Sequence, residues 1–427
     1  MKTSFFKLIL AGIMLFGMVA VYAQLPSIQY YRYNDKRGLN VFETSKKDTV
    51  KYDNLKLRVG GDFAFQLQGI SHENAAGIDP LVELANNFAL PTANLNFDAQ
   101  LEDGVRMHLR VYLSSRHHEE AWVKGGYLQF DKLDFISPGF LGGFMDIATI
   151  KVGMDEINYG DTHFRRSDNA RAIYNPFVGN YIMDSFTTEP YMEVTVQSNG
   201  IIGVVGVTNG RLNQSPTNKP GFGGSPADKG RVFYGKLGYD KQMNDDLRLR
   251  LTGSFYSSSS GSSRDYLYAG DRAGARYYNV IESIANGGSD FDPRFSPGFG
   301  YLTAIQINPF VKYGGLEFFG VYEIANNGDG DVGGGFDQIG AELLYRFGAT
   351  EQLFVGGRFN SVSGNVSDGT ATQDIKRTNF GFGWFLTNNV AVKTEYVTNK
   401  YEGDGWNGTK FQDAQFDGYV IEATIGF

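Results

Sequence analysis

Residues 154–188 form a segment unusually rich in charge: Asp155-Glu156-Ile157-Asn158-Tyr159-Gly160-Asp161-Thr162-His163-Phe164-Arg165-Arg166-Ser167-Asp168-Asn169, followed by Arg171 and Asp184. Carboxylates and guanidiniums gathered in one loop can do two kinds of work. They can pair and stiffen the loop, or they can line a water-filled passage and select ions at close quarters. A second set of cations lies two or four places apart within single runs: Lys56 and Arg58, Arg106 and Arg110, and Arg248 and Arg250. Alternate residues of a strand share a face, so these cations stand in rows on a wall.

Other chemistries fit less well. His117-His118-Glu119-Glu120 has ligand-type residues, but neighbours on a strand point to opposite faces and a short loop enforces no geometry, so a solvated loop is expected. Asn327-Gly328-Asp329-Gly330-Asp331 places oxygens as a calcium loop would, yet Val332 and Gln338 stand where a glycine and a bidentate Glu are needed. Serines with His72, His108 or His163 could meet in space as a hydrolase dyad, but no glycine-framed nucleophile turn is present, and His108 alternates with Arg106 and Arg110 as a wall residue. No catalytic residue, metal site, cofactor or enzymatic activity is therefore assigned.

The elements that would hold the charges are strands. Leu55, Leu57, Val59, Phe63, Phe65 and Leu67 interleave with Lys56, Arg58, Asp62, Gln66 and Gln68, the period-two pattern of a strand with one apolar and one polar face. Runs 93–101 and 105–111 alternate likewise and meet at the Asp103-Gly104 turn, a hairpin signal. Thirteen more follow near 121–132, 144–153, 189–198, 201–209, 231–240, 247–257, 301–313, 315–325, 336–347, 352–362, 375–386, 389–400 and 416–427. Short turns alternate with long polar connections near 71–89, 154–188, 210–230, 258–300, 326–335, 363–374 and 401–415. Two connections break that parity: a brief link at 116–120 and a longer one at 133–143. The expected fold is all-β, a transmembrane antiparallel up-and-down β-barrel of about 16 strands with an inward-folded third loop. A soluble sandwich of that many strands would split into domains.

Composition agrees. The 427 residues hold 55 glycines, 25 tyrosines and 34 phenylalanines but no cysteine, and the mean hydropathy is −0.28. Lys2 and Lys7, an apolar run from Leu8 to Tyr22 and the small residues of Val21-Tyr22-Ala23 read as a signal peptide over 1–23. Its removal takes the net charge from −8 to −10, which argues against nucleic acid as a partner. Residues 24–54 are expected as a periplasmic segment, too short for the plug domain of energy-coupled receptors, and 55–427 as the barrel.

Two features carry a resemblance. In the last run Tyr419, Ile421, Ala423, Ile425 and the terminal Phe427 share one face, which resembles the assembly signal of outer-membrane barrels. The charged segment 155–169 resembles the constriction loop of bacterial outer-membrane porins, including the phosphate-selective O and P porin family; the likeness extends over the barrel in pattern more than in identity. It implies a third loop that narrows the lumen with Asp155, Glu156, Asp161, Asp168 and Asp184 facing the wall cations; the sequence departs from a simple acidic loop in that Arg165, Arg166 and Arg171 sit in the same segment, where they are expected to pair with Asp161 and Asp168 and hold it rigid. It also implies outer-membrane lipid and the barrel assembly machinery as partners, a homotrimer, and passive diffusion of ions and small hydrophilic solutes. Phosphate specificity is not implied, because the loop is of mixed sign and the chain is acidic. The alternative function is a closed structural or adhesion barrel whose loops near 210–230 and 258–300 bind a partner.

Overall fold

The alternation closes the chain on itself. The structure, a computed structural model, describes residues 25–115, 121–212, 232–258, 266–268, 274–285 and 290–427. The expected signal peptide, the 116–120 link with His117 to Glu120, most of the expected loop 210–230 and part of 258–300 lie outside the described residues.

The strands are β1 (Lys56–Glu73), β2 (Asn87–Phe88), β3 (Thr92–Glu102), β4 (Val105–Ser114), β5 (Trp122–Phe130), β6 (Ala148–Glu156), β7 (Thr188–Ser198), β8 (Ile201–Thr208), β9 (Val232–Gln242), β10 (Leu247–Ser258), β11 (Leu302–Tyr313), β12 (Leu316–Asn327), β13 (Gly335–Phe347), β14 (Leu353–Asn365), β15 (Gln373–Phe385), β16 (Val390–Glu402) and β17 (Gln415–Gly426). The two-residue β2 rests on β1 opposite Leu67 and Gln68. The other sixteen follow one another in chain order, all antiparallel, and β1 closes on β17 from Asp62↔Gly426 to Glu73↔Gln415. A closed ladder leaves no unpaired strand edge, the condition for backbone to sit in hydrocarbon.

Side-chain polarity is inverted relative to a soluble protein. Along β13, Gln338, Glu342 and Arg346 are buried within while Ile339, Leu343 and Tyr345 face outward, each more than half exposed. Trp384, Phe380, Phe359, Leu251 and Leu237 extend the same apolar exterior around the barrel. Such a surface is stable against lipid and not against water. At the closure, Phe427 exchanges both backbone hydrogen bonds with Gly61 (3.2 and 3.1 Å), and Tyr419, Ile425 and Phe427 face outward.

Fifteen of the expected runs become strands within a few residues. The fifth expected run does not begin at 144: Met145 and Asp146 bond back to the carbonyls of Leu141 and Gly142 at 2.9 and 2.8 Å in a single helical turn, Gly142–Met145, and β6 starts only at Ala148. It then outlasts expectation, because the ladder to β7 continues through Asp155↔Glu189 and Glu156↔Thr188. Asp155 and Glu156 are therefore strand residues rather than loop residues, and the third long connection is 157–187.

Three segments fill the interior. From the short-turn end, residues 28–43 enter the mouth and bury Ile28, Tyr30, Asn34, Asp35 and Phe42. From the long-loop end, 157–187 is buried along its whole length. The loop after β10 adds buried residues, where Leu267, Tyr268, Tyr277, Val280 and Ile281 pack on Ile157, Tyr159, Val178, Ile182 and Met183. Ser257 to Ser263 and Gly287-Gly288 read in the sequence as a flexible external loop, and 259–263 and 287–288 lie outside the described residues; the described apolar and aromatic residues of the same connection build a core inside the barrel. Contact is close: Gly274 lies at φ +81°, and a Cβ there would stand 1.7 Å from the Ser167 carbonyl oxygen.

Candidate functional site

The charges of 157–187 meet the barrel wall in separate groups. Nearest β9 and β10, the Asp161 carboxylate accepts from Arg250 (2.8 Å to each oxygen), Lys236 (2.9 Å) and the Thr252 hydroxyl (2.7 Å), while its backbone N–H donates to Asn308 at 2.8 Å. Gly160 makes this approach possible, lying at φ +64° with its missing Cβ only 1.9 Å from Gln306. Burial would raise the Asp161 carboxyl, but Arg250 and Lys236 hold it down at about 2.

On the opposite side Asp168 accepts from Arg110 at 3.2 Å and lies 3.3 Å from Lys124 on β5. Arg110 also reaches Asp155 at 3.5 Å, and Arg171 pairs with Glu156 at 2.9 Å. Burial works against the Asp168 carboxylate, yet Lys124, Arg171 and Arg110 keep its pKa below the usual range. Arg166 holds Asp184 in a two-pronged pair (2.9 and 2.6 Å) and lies over the Phe186 ring.

Arg165 breaks the expected scheme of an acidic loop facing basic walls. It reaches Glu317 on β12 (3.6 Å) and Glu342 on β13 (3.3 Å), each of which also holds a wall arginine, Arg346 at 2.6 Å and Arg358 at 2.7 Å. Further round, Lys393 binds Glu422 (2.7 Å) and pairs with none of the loop's acids, donating instead to the carbonyls of Ala172, Asn175 and Phe177. The wall is thus of mixed sign, as the loop is.

The proposed wall cations fall into two sets. Arg106, Arg110 and Arg250 are buried within the lumen, with Arg106 on Gln129 at 2.7 Å and His108 beside it on Asp98 at 2.9 Å. Arg58 is buried under the Tyr31 ring, and Arg248 holds Asp240 (2.6 Å) nearer the mouth. Lys56 stands at the rim, 3.1 Å from exposed Asp53, away from the loop.

The N-terminal segment reaches the same place from below. Arg32 donates to the Phe164 carbonyl (2.8 Å), Tyr174 donates to the Tyr33 carbonyl (2.5 Å), and Phe42 packs edge-on against Phe164 and Phe310. Asn40 donates to Glu317 (2.7 Å) and accepts from Arg165. Glu43 joins the Asp161 group, 2.8 Å from Arg250 and 3.2 Å from Lys236, and those two cations outweigh burial to keep its carboxyl well below the ordinary range. Between this segment, 157–187 and the wall of β3 to β7 remains a cavity of about 140 Å³ lined by Arg32, Glu43, Arg106, Lys151 and Arg171 among others.

Sequence reasoning overlooked Glu43, Arg32, Lys124, Lys236 and the acids Glu317, Glu342 and Glu422. Lys236, Glu317, Glu342 and Glu422 sit at polar places of alternating runs and were legible by the rule that found Arg250. Glu43 and Arg32 lie in a run without period, and nothing local marks them.

No protein-family model matches the chain, and no curated protein does. Solved structures do match its fold. OmpT of Vibrio cholerae in a trimer form aligns at a TM-score of 0.52 and 11% identity, covering 88% of this chain and 100% of that one. The anion-selective porin from Comamonas acidovorans gives 0.51 and 10% over 88% and 100%. OprB of Pseudomonas putida gives 0.51 and 12% over 87% and 94%. The chain has the fold of the outer-membrane porins, a closed sixteen-stranded antiparallel barrel.

Proposed function

We propose that the protein is an outer-membrane porin through which ions and small hydrophilic solutes diffuse passively, with no bond made or broken and no cofactor. The observation that carries this reading is the polarity of the closed barrel: apolar outside, and inside a charged lumen narrowed by 157–187 and the N-terminal segment. The short-turn end, where both ends of the barrel sequence lie, then faces the periplasm, and the long loops face outward. Lipid and the barrel assembly machinery are the partners this places on the outer face, and a homotrimer is the assembly that the trimeric OmpT fold supports.

Because three segments occupy the lumen, single-channel conductance should be small for a barrel of this width. Planar-bilayer recording of the purified, folded protein tests the reading, with sugar uptake into liposomes as a second measurement. A folded barrel that neither conducts nor admits sugar is a closed structural or adhesion barrel instead.

A further inference from the structure

Glu43 is the clue to what the lumen binds. It is carried on a segment outside the ladder, yet its carboxylate sits between Lys236 and Arg250, whose side chains have no exposed surface, and Asn158 donates to it at 3.2 Å. Asp161 already holds one negative charge against those two cations. The place left over suits one further single negative charge in planar form, which a guanidinium grips well. Glu43 also lines the 140 Å³ cavity, together with Asn158, Phe42 and Phe164, which touch the same two cations. Two other cations on the cavity, Arg32 and Lys151, have no carboxylate within 4 Å among the described residues: Arg32 donates to two carbonyls and Lys151 rests over the Tyr127 ring.

The segment lies outside the strand ladder and is held by side chains, among them Asn34 on Asp62, Lys46 on Asp131 at 2.8 Å and Arg32 on the Phe164 carbonyl. Its backbone joins the periplasmic turns chiefly at Lys36 N–H to Asn388 (2.8 Å), and residues 47, 48, 49 and 51 of its link to β1 are exposed. It can leave without breaking a strand pair.

We infer that Lys236 and Arg250, with the adjoining cavity, form a binding site for small monocarboxylates, and that Glu43 is a tethered carboxylate that occupies this site until a solute displaces it. The inference rests on the porin reading for delivery of the solute, but the site can be read without transport. A dianion such as phosphate is disfavoured because Asp161 leaves only one positive charge to satisfy.

The test uses the full chain and propionate. Binding of ¹³C-propionate to protein in detergent micelles is followed by NMR line broadening, alongside block of single-channel current. Glu43→Gln should tighten propionate binding, and lower the half-blocking concentration, by about tenfold, the size of one charge-assisted contact. Adding Lys236→Met to Glu43→Gln should abolish the gain, and inorganic phosphate should show none. Heat-modifiable gel mobility verifies folding of each variant. Equal propionate affinity in wild type and Glu43→Gln overturns the inference, as does an equal gain for phosphate. Propionate binding that follows this pattern in a barrel that never conducts supports the site and sinks the porin reading alone.

Discussion

Two segments fill the lumen near Asp161, and they are held in different ways. Residues 157–187 are fixed at both ends by strands β6 and β7 and anchored at Arg250, Arg110, Glu342 and Lys393, in four directions around the wall. Residues 28–43 are joined, among the described residues, to a strand only at one end, by β1, and meet the wall through side chains such as Asn34 to Asp62, Asn40 to Glu317 and Glu43 to Arg250. Both bury charge in matched pairs, so burial alone does not distinguish them. What differs is the alternative open to each: the N-terminal segment can return its carboxylate to water, whereas the loop's acids have nowhere to go while the barrel stands.

That contrast sets the largest expected effect. Asp161→Asn takes from Lys236 and Arg250 a carboxylate that has no exposed surface, and removing one partner of a buried pair costs about 3–5 kcal/mol. Guanidinium unfolding in micelles should show that loss. Glu43→Gln touches the same cations, but the segment can swing out and let water in, so its cost should stay within about 1 kcal/mol of wild type. Equal losses in the two variants would mean that the segment is as integral as the loop. The pH behaviour follows with the same sign: Asp161's depressed carboxyl contributes stability that is full above the ordinary value near 4 and is lost as pH falls through about 2.

The next effect sharpens the comparison by coupling the two. With Asp161 gone, Glu43 becomes the chief carboxylate on Lys236 and Arg250, apart from Asp240 at 3.0 Å from Arg250. The double variant Asp161→Asn with Glu43→Gln should therefore be less stable than the sum of the singles by about 0.5–3 kcal/mol. Additive losses would show that the two carboxylates do not share their cations.

The barrel was legible in the sequence because its signal is local: period two along each run, turn residues at fixed places, and an aromatic end at Phe427. It failed where a local competitor won, as at Gly142–Met145, where a helical turn replaced the expected start of β6. Within the site, Asp161, Asp168 and Arg250 were found because charge at alternate or clustered places stands out. Their partners were not, since which acid meets which cation is decided by how 157–187 packs across the lumen. Arg165 pairing with β12 and β13 rather than with Asp161 is the example. The loop after β10 reads as one of the long polar connections, and Leu267-Tyr268 and Val280-Ile281 were the signs that it has a core to join.

A smaller effect separates two neighbours within the fixed loop. Arg165 is shared by two wall acids, so Arg165→Gln takes one positive charge from beside the passage while Glu317 and Glu342 keep one arginine each. Arg166 serves Asp184 inside the loop, with Arg294 nearby at 3.8 Å. In a salt gradient across a planar bilayer, Arg165→Gln should move the reversal potential toward the cation's equilibrium value, and Arg166→Gln should move it less. An equal shift, or none in the double variant, would remove both from the conduction path.

The smallest effect lies at the outer rim, where the long loops meet one another rather than the lumen. Asp292 pairs with Lys410 at 2.6 Å, in the loop before β17, and has Glu282 beside it, whose carbonyl accepts from Val82 of the loop after β1. Burial pushes the Asp292 carboxyl up, Lys410 pulls it down and Glu282 pushes it up again, to about 6. Since this value lies above the ordinary one, the stability that the protonated carboxyl lends the three-loop contact is full below about pH 4 and lost as pH rises through about 6. The backbone N–H groups of Val82 and Ile284, bonded across loops to Glu282 and Pro80, should thus be better protected from hydrogen exchange at pH 5 than at pH 7.5, after correction for intrinsic rates. Asp292→Asn should hold the protection of the acid state at both. If protection in the wild type ignores pH, the three loops are tied by their backbone bonds alone, and the rim behaves like the fixed loop below it rather than like the displaceable segment.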